Sequence, residues 1–316
     1  EPQQHLTPLK ALQPSDAYVF LGANWSHPEI MEFGQHHSSR GGVVVQMIYD
    51  LIPYLAPDFC SATLTESFKS FLKLSPTYAN RFACISDWTK AEFVDFLDSN
   101  GLTRSAVTVP LAHEFDGFDR NQNVTTADSP EAFALANRDF VICVGTIERR
   151  KNGVTLLKAW NELINKRGAD RVPTLVFAGK MGWKLSEFTD ILDTSDSLRE
   201  KVILFSTPSD RDLAFMYCKC RFSIYPSKYE GWGLPVGESA WFGRYVIASH
   251  ATSLPEVCGN LIDYIDPNDV SDIVAKVEYA LDHPEHVSQK ESALKAAKLR
   301  AWDDVADDLL TVIEAN

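Results

Sequence analysis

"RFSIYPSKYEGWGLPVGESAWFGRYVIAS", residues 221–249, holds two apolar runs on either side of a glycine-rich turn and a helix-spaced stretch. RFSIYPS and RYVIAS have the β-branched and aromatic content of buried strands, and LPVGESAWFG between them has helical spacing with Pro235 near its start. Strand, helix and strand in that order make the crossover unit of a parallel sheet. The turn itself holds two glutamates, Glu230 and Glu238, around glycines, a tryptophan and a proline. Alone, the stretch also reads as a tight turn before a helix with an acidic surface position. The rest of the chain decides between the two.

Working outward, the second half repeats the same grammar. DFVICVGTI, PTLVFAGK and VILFS read as strands, GVTLLKAWNELINK as a helix and SDRDLAFMYCKC as a capped helix. The first half is less regular: DAYVFLGANW and GGVVVQMIYDLIP read as strands, LTESFKSFLKLS as a helix, and RFACISDWTKAEFVDFL as a strand followed by a helix capped by Ser86. AVTVPLAHEF is a further strand, and the polar run DRNQNVTTADSPEA after it lacks periodicity and reads as a linker. The fold class is therefore α/β, built of doubly wound parallel sheets whose ligands sit at the carboxyl ends of the strands. The loops after Val144, Ala178, Leu204, Tyr225 and Ala248 are the ones to inspect.

The totals agree. A chain of 316 residues exceeds what one core usually supports, so two domains are expected. A net charge of -13 argues against nucleic acid as a partner. No apolar run reaches the roughly 18 residues that span a bilayer. The six cysteines lack redox or zinc spacing, which suits reduced thiols in a cytoplasmic protein. The amino end, EPQQHLTPLKALQPSD, has neither the form of a signal peptide nor an initiator Met.

After Val144 comes GTIERRKNG, a glycine turn with Arg149, Arg150, Lys151 and Asn152 ahead of a helix. Cations beside helix-start amides suit a diphosphate, although a solvated basic turn is the alternative; neither the P-loop nor the dinucleotide fingerprint is present. Leu234 and Pro235 open a helix at the same sheet edge, and carboxylates accept hydrogen bonds from vicinal hydroxyls. Two glutamates beside a diphosphate site describe a nucleotide sugar.

EGWGLPVGE, with VGTIERRKN and VFAGKMGW upstream and SLPEVCG downstream, resembles the retaining glycosyltransferases of family 4 over about residues 140–267. MIYDLIP is similar to that family's acceptor-side loop, CISDWTKAEF to its serine-capped helix and AWDDVADDLL to its closing helix. The resemblance implies the GT-B fold, two facing Rossmann-like domains, here 1–125 on the acceptor side and 138–295 for the donor, with 296–316 returning to the first. It implies that Arg150 and Lys151 hold the diphosphate and neutralise the leaving group, with Gly145 and Thr146 close by. Glu230 would meet the donor sugar, Glu238 the ribose, and the amides of Gly233 and Leu234 a phosphate; Lys180 and Ser206 would form the nucleotide rim. Tyr49 and Asp50 stand on the acceptor side, where many relatives have His-Asp. Neither metal nor cofactor is implied.

The GTIERRKN and GKMGW wording resembles bacterial mannosyl- and rhamnosyltransferases, which favours GDP-mannose as donor. The acceptor would be a saccharide or lipid-linked saccharide in surface polysaccharide assembly, with peripheral contact at the inner membrane. Set against that family, the first domain is expected to be shortened, without its opening βα unit, so a missing segment, a partner chain or residues 1–12 would cover that edge. A non-catalytic nucleotide-sugar-binding subunit and a GT-B sugar-nucleotide epimerase remain rival readings. Among the histidines, His36 and His37 read as a polar loop, His113 and Glu114 as loop residues near the interdomain cleft, and His250 as facing ligand or solvent. Phenylalanines between Thr65 and Leu74 read as a core-facing stripe, with contact to a lipid-linked acceptor as the alternative.

Overall fold

The computed structural model describes residues 13–182 and 185–315. The amino-terminal residues expected to cover a sheet edge and Trp183 of the GKMGW motif lie outside the described residues. The chain divides into two compact units, one taking the described residues up to Leu111 together with Asp303 onward, the other Ala112–Trp302. Among the described residues no helix is long and apolar enough to cross a membrane.

The first unit holds a parallel sheet in the order β1 (Ala17–Phe20), β2 (Val43–Ile48), β3 (Arg81–Cys84), β4 (Ser105–Thr108). Val44, Phe82, Phe93, Phe68, Phe71 and Leu72 form its core, so the aromatic stripe of the Ala62–Tyr78 helix faces inward. Ser86 caps the Asp87–Ser99 helix, its Oγ accepting the Thr89 N–H at 3.0 Å. The QHHSS stretch is not a loop: His36 and His37 lie in the last turn of the Pro28–Ser39 helix, and His37 is buried with Nε2 2.9 Å from the Asp16 carbonyl. Polar letters concealed a helix whose apolar positions, Ile30, Met31 and Phe33, are few. The Trp302–Glu314 helix joins this unit from Asp303, and Arg81 donates to the carbonyls of Val312 (2.7 Å) and Ile313.

The second unit has strands β5 (Phe140–Val144), β6 (Thr174–Ala178), β7 (Val202–Phe205), β8 (Phe222–Tyr225), β9 (Val246–Ser249) and β10 (Asp263–Ile265), all parallel. Their order is β10-β9-β8-β5-β6-β7. This is the Rossmann order, in which the chain builds outward from β5 through β7 and then restarts at β8 on β5's other side. Trp160, Leu163, Phe177, Phe188, Phe222, Ile247 and Val277 fill the core. β5 and β8 are neighbours with chain leaving them in opposite directions, the strand-order reversal at whose carboxyl edge sheets of this class bind ligands.

The segment expected to be a linker belongs to this unit, and the boundary falls at 111/112 rather than after 125. Its backbone is held by a buried carboxylate: Asp212 Oδ1 accepts the N–H groups of Asp128 (2.9 Å) and Ser129 (3.0 Å), while Asp212 also completes the capping box of Ser209. Burial would raise the Asp212 pKa, but these donors hold it below the ordinary carboxylate value. Such contacts are invisible to periodicity because they are non-local. Asp212→Ala, which strands those amides, is expected to lower the unfolding free energy by about 3 kcal/mol; a urea titration showing a change within about 0.5 kcal/mol would remove Asp212 from this role.

Candidate functional site

The chain leaves β5 through Gly145 and Thr146 and turns at Arg149–Lys151 before the Gly153–Arg167 helix. Hydrogen bonds from Gly145 N to the Ala178 carbonyl (2.9 Å) and from Ile147 N to the Lys180 carbonyl (2.8 Å) tie this turn to the loop after β6. That close approach requires glycine at 179: its φ is +156°, and a Cβ there would lie 2.2 Å from the Gly145 carbonyl oxygen. Asn152, buried, fastens the turn to two more strand ends, its Nδ2 donating to the carbonyls of Pro226 (3.0 Å) and Pro267 (2.6 Å). The aliphatic stem of Lys151 passes beside Gly145.

From β8 the chain brings Glu230 to the same place. Arg150 Nη1 donates to Glu230 Oε2 at 2.6 Å and to the Tyr229 carbonyl at 2.7 Å; Lys151 Nζ donates to Glu230 Oε1 at 2.6 Å. Glu148 Oε1 accepts from Arg150 Nη2 at 2.9 Å. Burial alone would raise the Glu230 pKa, but the charges of Lys151 and Arg150 overcome it and lower it to about 2. The carboxylate is therefore ionised at any physiological pH and is the partner of both cations.

Gly233 caps the Leu234–Trp241 helix with φ +122°, and a Cβ there would meet Leu254 Cδ2 at 2.5 Å, so glycine alone allows the packing. At the start of this helix Pro235 has no N–H, and the N–H groups of Val236 and Gly237 go to the Gly233 carbonyl at 3.0 and 3.3 Å. Glu238, one turn along, accepts a hydrogen bond from Tyr217 Oη at 2.9 Å. Burial raises its carboxyl to about 7, only partly offset by the Tyr217 hydrogen bond, and Asp210 adds to the rise. Glu230 thus stays ionised at neutral pH, whereas Glu238 titrates there.

The remaining expected residues are more scattered. Thr146 and Lys180 are exposed beside the β5 and β6 ends, and Leu234 is 37% exposed at the helix start. Ser206 is exposed and lines a cavity of about 470 Å³ with Ser129, Arg138 and Leu204, sharing no residue with the Arg150, Lys151 and Glu230 cluster. A cavity of about 510 Å³ opens beside the basic turn, lined by Glu148, Arg149, Asn152, Lys158 and Lys228 among others. Tyr49 and Asp50 belong to the first unit: Tyr49 Oη donates to the Leu21 carbonyl at 2.7 Å, and Asp50 Oδ1 accepts the Ile52 N–H at 2.9 Å. His113, within the second unit, is buried between Val257 O (2.6 Å from Nε2) and the Arg300 N–H (3.1 Å from Nδ1), a structural clasp. His250 is exposed, with Nδ1 2.9 Å from the Ile265 carbonyl. Sequence reading missed Glu148 and Tyr217, whose roles depend on which strands are neighbours. Among the described residues no group of three His, Cys, Asp or Glu side chains is placed to hold a metal.

Comparison with known proteins adds to this geometry. The family model described as "Glycosyl transferases group 1" matches residues 126–298. The O-antigen chain mannosyltransferase B of Escherichia coli is 28% identical over 299 residues, covering 93% of this chain and 73% of that protein. A serotype-specific mannosyltransferase WbdA of Escherichia coli is 25% identical over 257 residues, 79% of this chain, which spans only 31% of WbdA. Among solved structures, Anabaena HepE in complex with UDP and glucose superposes with a TM-score of 0.70 at 14% identity, covering 95% of this chain and 78% of that one. That likeness shows the fold, the GT-B class with two Rossmann-like units.

The raised Glu238 carboxyl has a measurable consequence. Its folded pKa of about 7 lies above the 4.5 of an ordinary glutamate, so the folded chain holds a proton that the unfolded chain has released between those values. The group's contribution to stability is full below pH 4.5 and lost as pH rises through 7. Comparing urea unfolding of the wild type and Glu238→Gln at pH 4.5 and pH 8, the difference should move in favour of the glutamine variant by on the order of 2 kcal/mol. A pH-independent difference would mean that Glu238 titrates as an ordinary carboxylate.

Proposed function

Because this chain belongs to the glycosyl transferases group 1 family, we propose that it is a retaining, metal-independent hexosyltransferase that moves mannose from GDP-mannose to a saccharide or lipid-linked saccharide in surface polysaccharide assembly. The observation that carries the reading is the convergence of Arg150 and Lys151 on one buried carboxylate at the point where the strand order reverses. Fixed cations there answer a diphosphate, and the first amides of the 234–241 helix extend the same field. The relatives' names support mannose, as does the RRKN wording.

Arg150 and Lys151 are balanced by Glu148 and Glu230, so the four charges sum to zero before a donor arrives. A diphosphate entering this site takes the cations from Glu230, whose oxygens then turn to the hydroxyls of the donor sugar. As the bond from the anomeric carbon to the diphosphate oxygen breaks, charge grows on the β-phosphate, and the two cations oppose it. The acceptor oxygen bonds to that carbon on the face being vacated, and its proton passes to the departing phosphate. In this reading Glu238, once ionised, accepts from the ribose hydroxyls. Peripheral membrane contact follows if the acceptor is lipid-linked.

Labelled GDP-mannose, with UDP-sugars as controls, tests the reading with and without saccharide acceptors. Acceptor-dependent transfer is the expected result; binding without turnover supports a non-catalytic subunit, and an isomerised donor supports an epimerase. Lys151→Ala should lower kcat by about a hundredfold, near 3 kcal/mol of leaving-group stabilisation, in a chain that still melts near the wild-type temperature. Transfer should also persist in excess chelator. Loss of transfer restored by added Mg²⁺ would contradict metal independence.

A further inference from the structure

Ser249 at the end of β9 and Thr252 and Ser253 in the loop after it carry three hydroxyls, and each bonds to the turn that bears Glu230. Thr252 Oγ1 accepts the Glu230 backbone N–H at 2.9 Å and donates to the Glu230 carbonyl at 2.9 Å. Ser253 Oγ, fully buried, donates to the same carbonyl at 2.8 Å and to the Trp232 carbonyl at 3.1 Å. Ser249 Oγ donates to the Ser227 carbonyl at 2.5 Å. These side chains replace the ladder that a neighbouring strand would supply. Leu254, next in sequence, packs under Gly233 and braces the far end of the turn.

Thr252 does this at φ +52°, in the left-handed region that disfavours β-branched residues. Glycine or asparagine would occupy that conformation with less strain, yet neither offers a hydroxyl to both polar groups of one residue. Strain of this sort persists where the surrounding contacts hold it in place.

We propose that Thr252 is a positioning residue for Glu230. Its hydroxyl fixes the main chain of Glu230, so the carboxylate reaches Arg150 and Lys151 by side-chain rotation alone. The glutamate can then exchange partners without any movement of the turn. The effect on turnover rests on the glycosyltransferase reading; the effect on the ion pair does not.

Two readouts separate these levels. The first is the rate at which an amine-acylating reagent labels Lys151 in the ligand-free full chain, followed by peptide mass spectrometry. The second is kcat and KM with GDP-mannose. Thr252→Gly removes both the hydroxyl and the strain, so its Tm should stay within about 3 °C of wild type. Lys151 should label about fivefold faster as its carboxylate partner loosens. Turnover should fall by about tenfold or more, with KM changing less, because a small misplacement of a reacting-site group costs rate first. Thr252→Ser, which keeps the hydroxyl, should recover both values to within about twofold, a rescue that a purely steric role would not produce. Should the glycine variant unfold, Thr252→Ala gives the same comparison. Wild-type labelling and kcat in a folded variant without the hydroxyl would overturn the proposal. If the wild type transfers no sugar from any donor, the functional reading falls, and Lys151 labelling alone decides the positioning role.

Discussion

The arrangement of the second unit turns on one carboxylate held between two cations. Glu230 comes from the loop after β8, and Arg150 and Lys151 from the loop after β5; the three meet only because those strands are neighbours in the sheet. An ion pair this far out of water is a weak source of stability, since desolvation offsets much of the attraction. Its worth lies in geometry. Arg150 is forked across Glu148, the Tyr229 carbonyl and Glu230, which leaves the guanidinium one orientation. Asn152 then ties the same turn to the β8 and β10 loops, so three strand ends move as one piece.

Glu230 and Glu238 show how environment divides labour between identical side chains. Both are removed from water, which pushes a carboxyl upward, but only Glu230 has cations close enough to reverse the effect. Glu230 remains an anion, able to give up Lys151 and Arg150 to a stronger anion. Glu238 has Tyr217 as its hydrogen-bond donor and changes charge near neutrality.

Much of the fold was legible in the sequence because buried parallel strands are short continuous apolar runs, and FVICV, TLVFA and FSIY are of that kind. Caps at Ser86 and Ser209 are local and were equally plain. What escaped is non-local or compositionally quiet: the 28–39 helix, the three-residue strand β10, and the 112–137 segment, whose polar letters say nothing of Asp212 waiting across the fold. At the site, residue types and sheet edge pointed to Arg150, Lys151 and Glu230. Their mutual neutralisation did not show, because charge pairing depends on ångström-scale approach that no spacing encodes.

Part of the unusual backbone of the second unit lies at this one edge. Gly179, Gly233, Asn152 and Thr252 all have positive φ, and each lies in a loop after a strand's carboxyl end. The glycines let main chain and side chain approach more closely than a Cβ permits; Asn152 and Thr252 instead use the left-handed turn to aim a side chain at neighbouring loops. Conformations of this kind are not lowest in energy for isolated loops, so they persist because the core and the cross-loop hydrogen bonds over-determine them. A site built this way places its reorganisation in side chains. Glu230 meets Arg150 and Lys151 through side-chain atoms, whereas the chain from Gly145 to Arg150 is tied by main-chain hydrogen bonds to the loops after β6 and β8, so it is the side-chain contacts rather than the backbone that are left free to change.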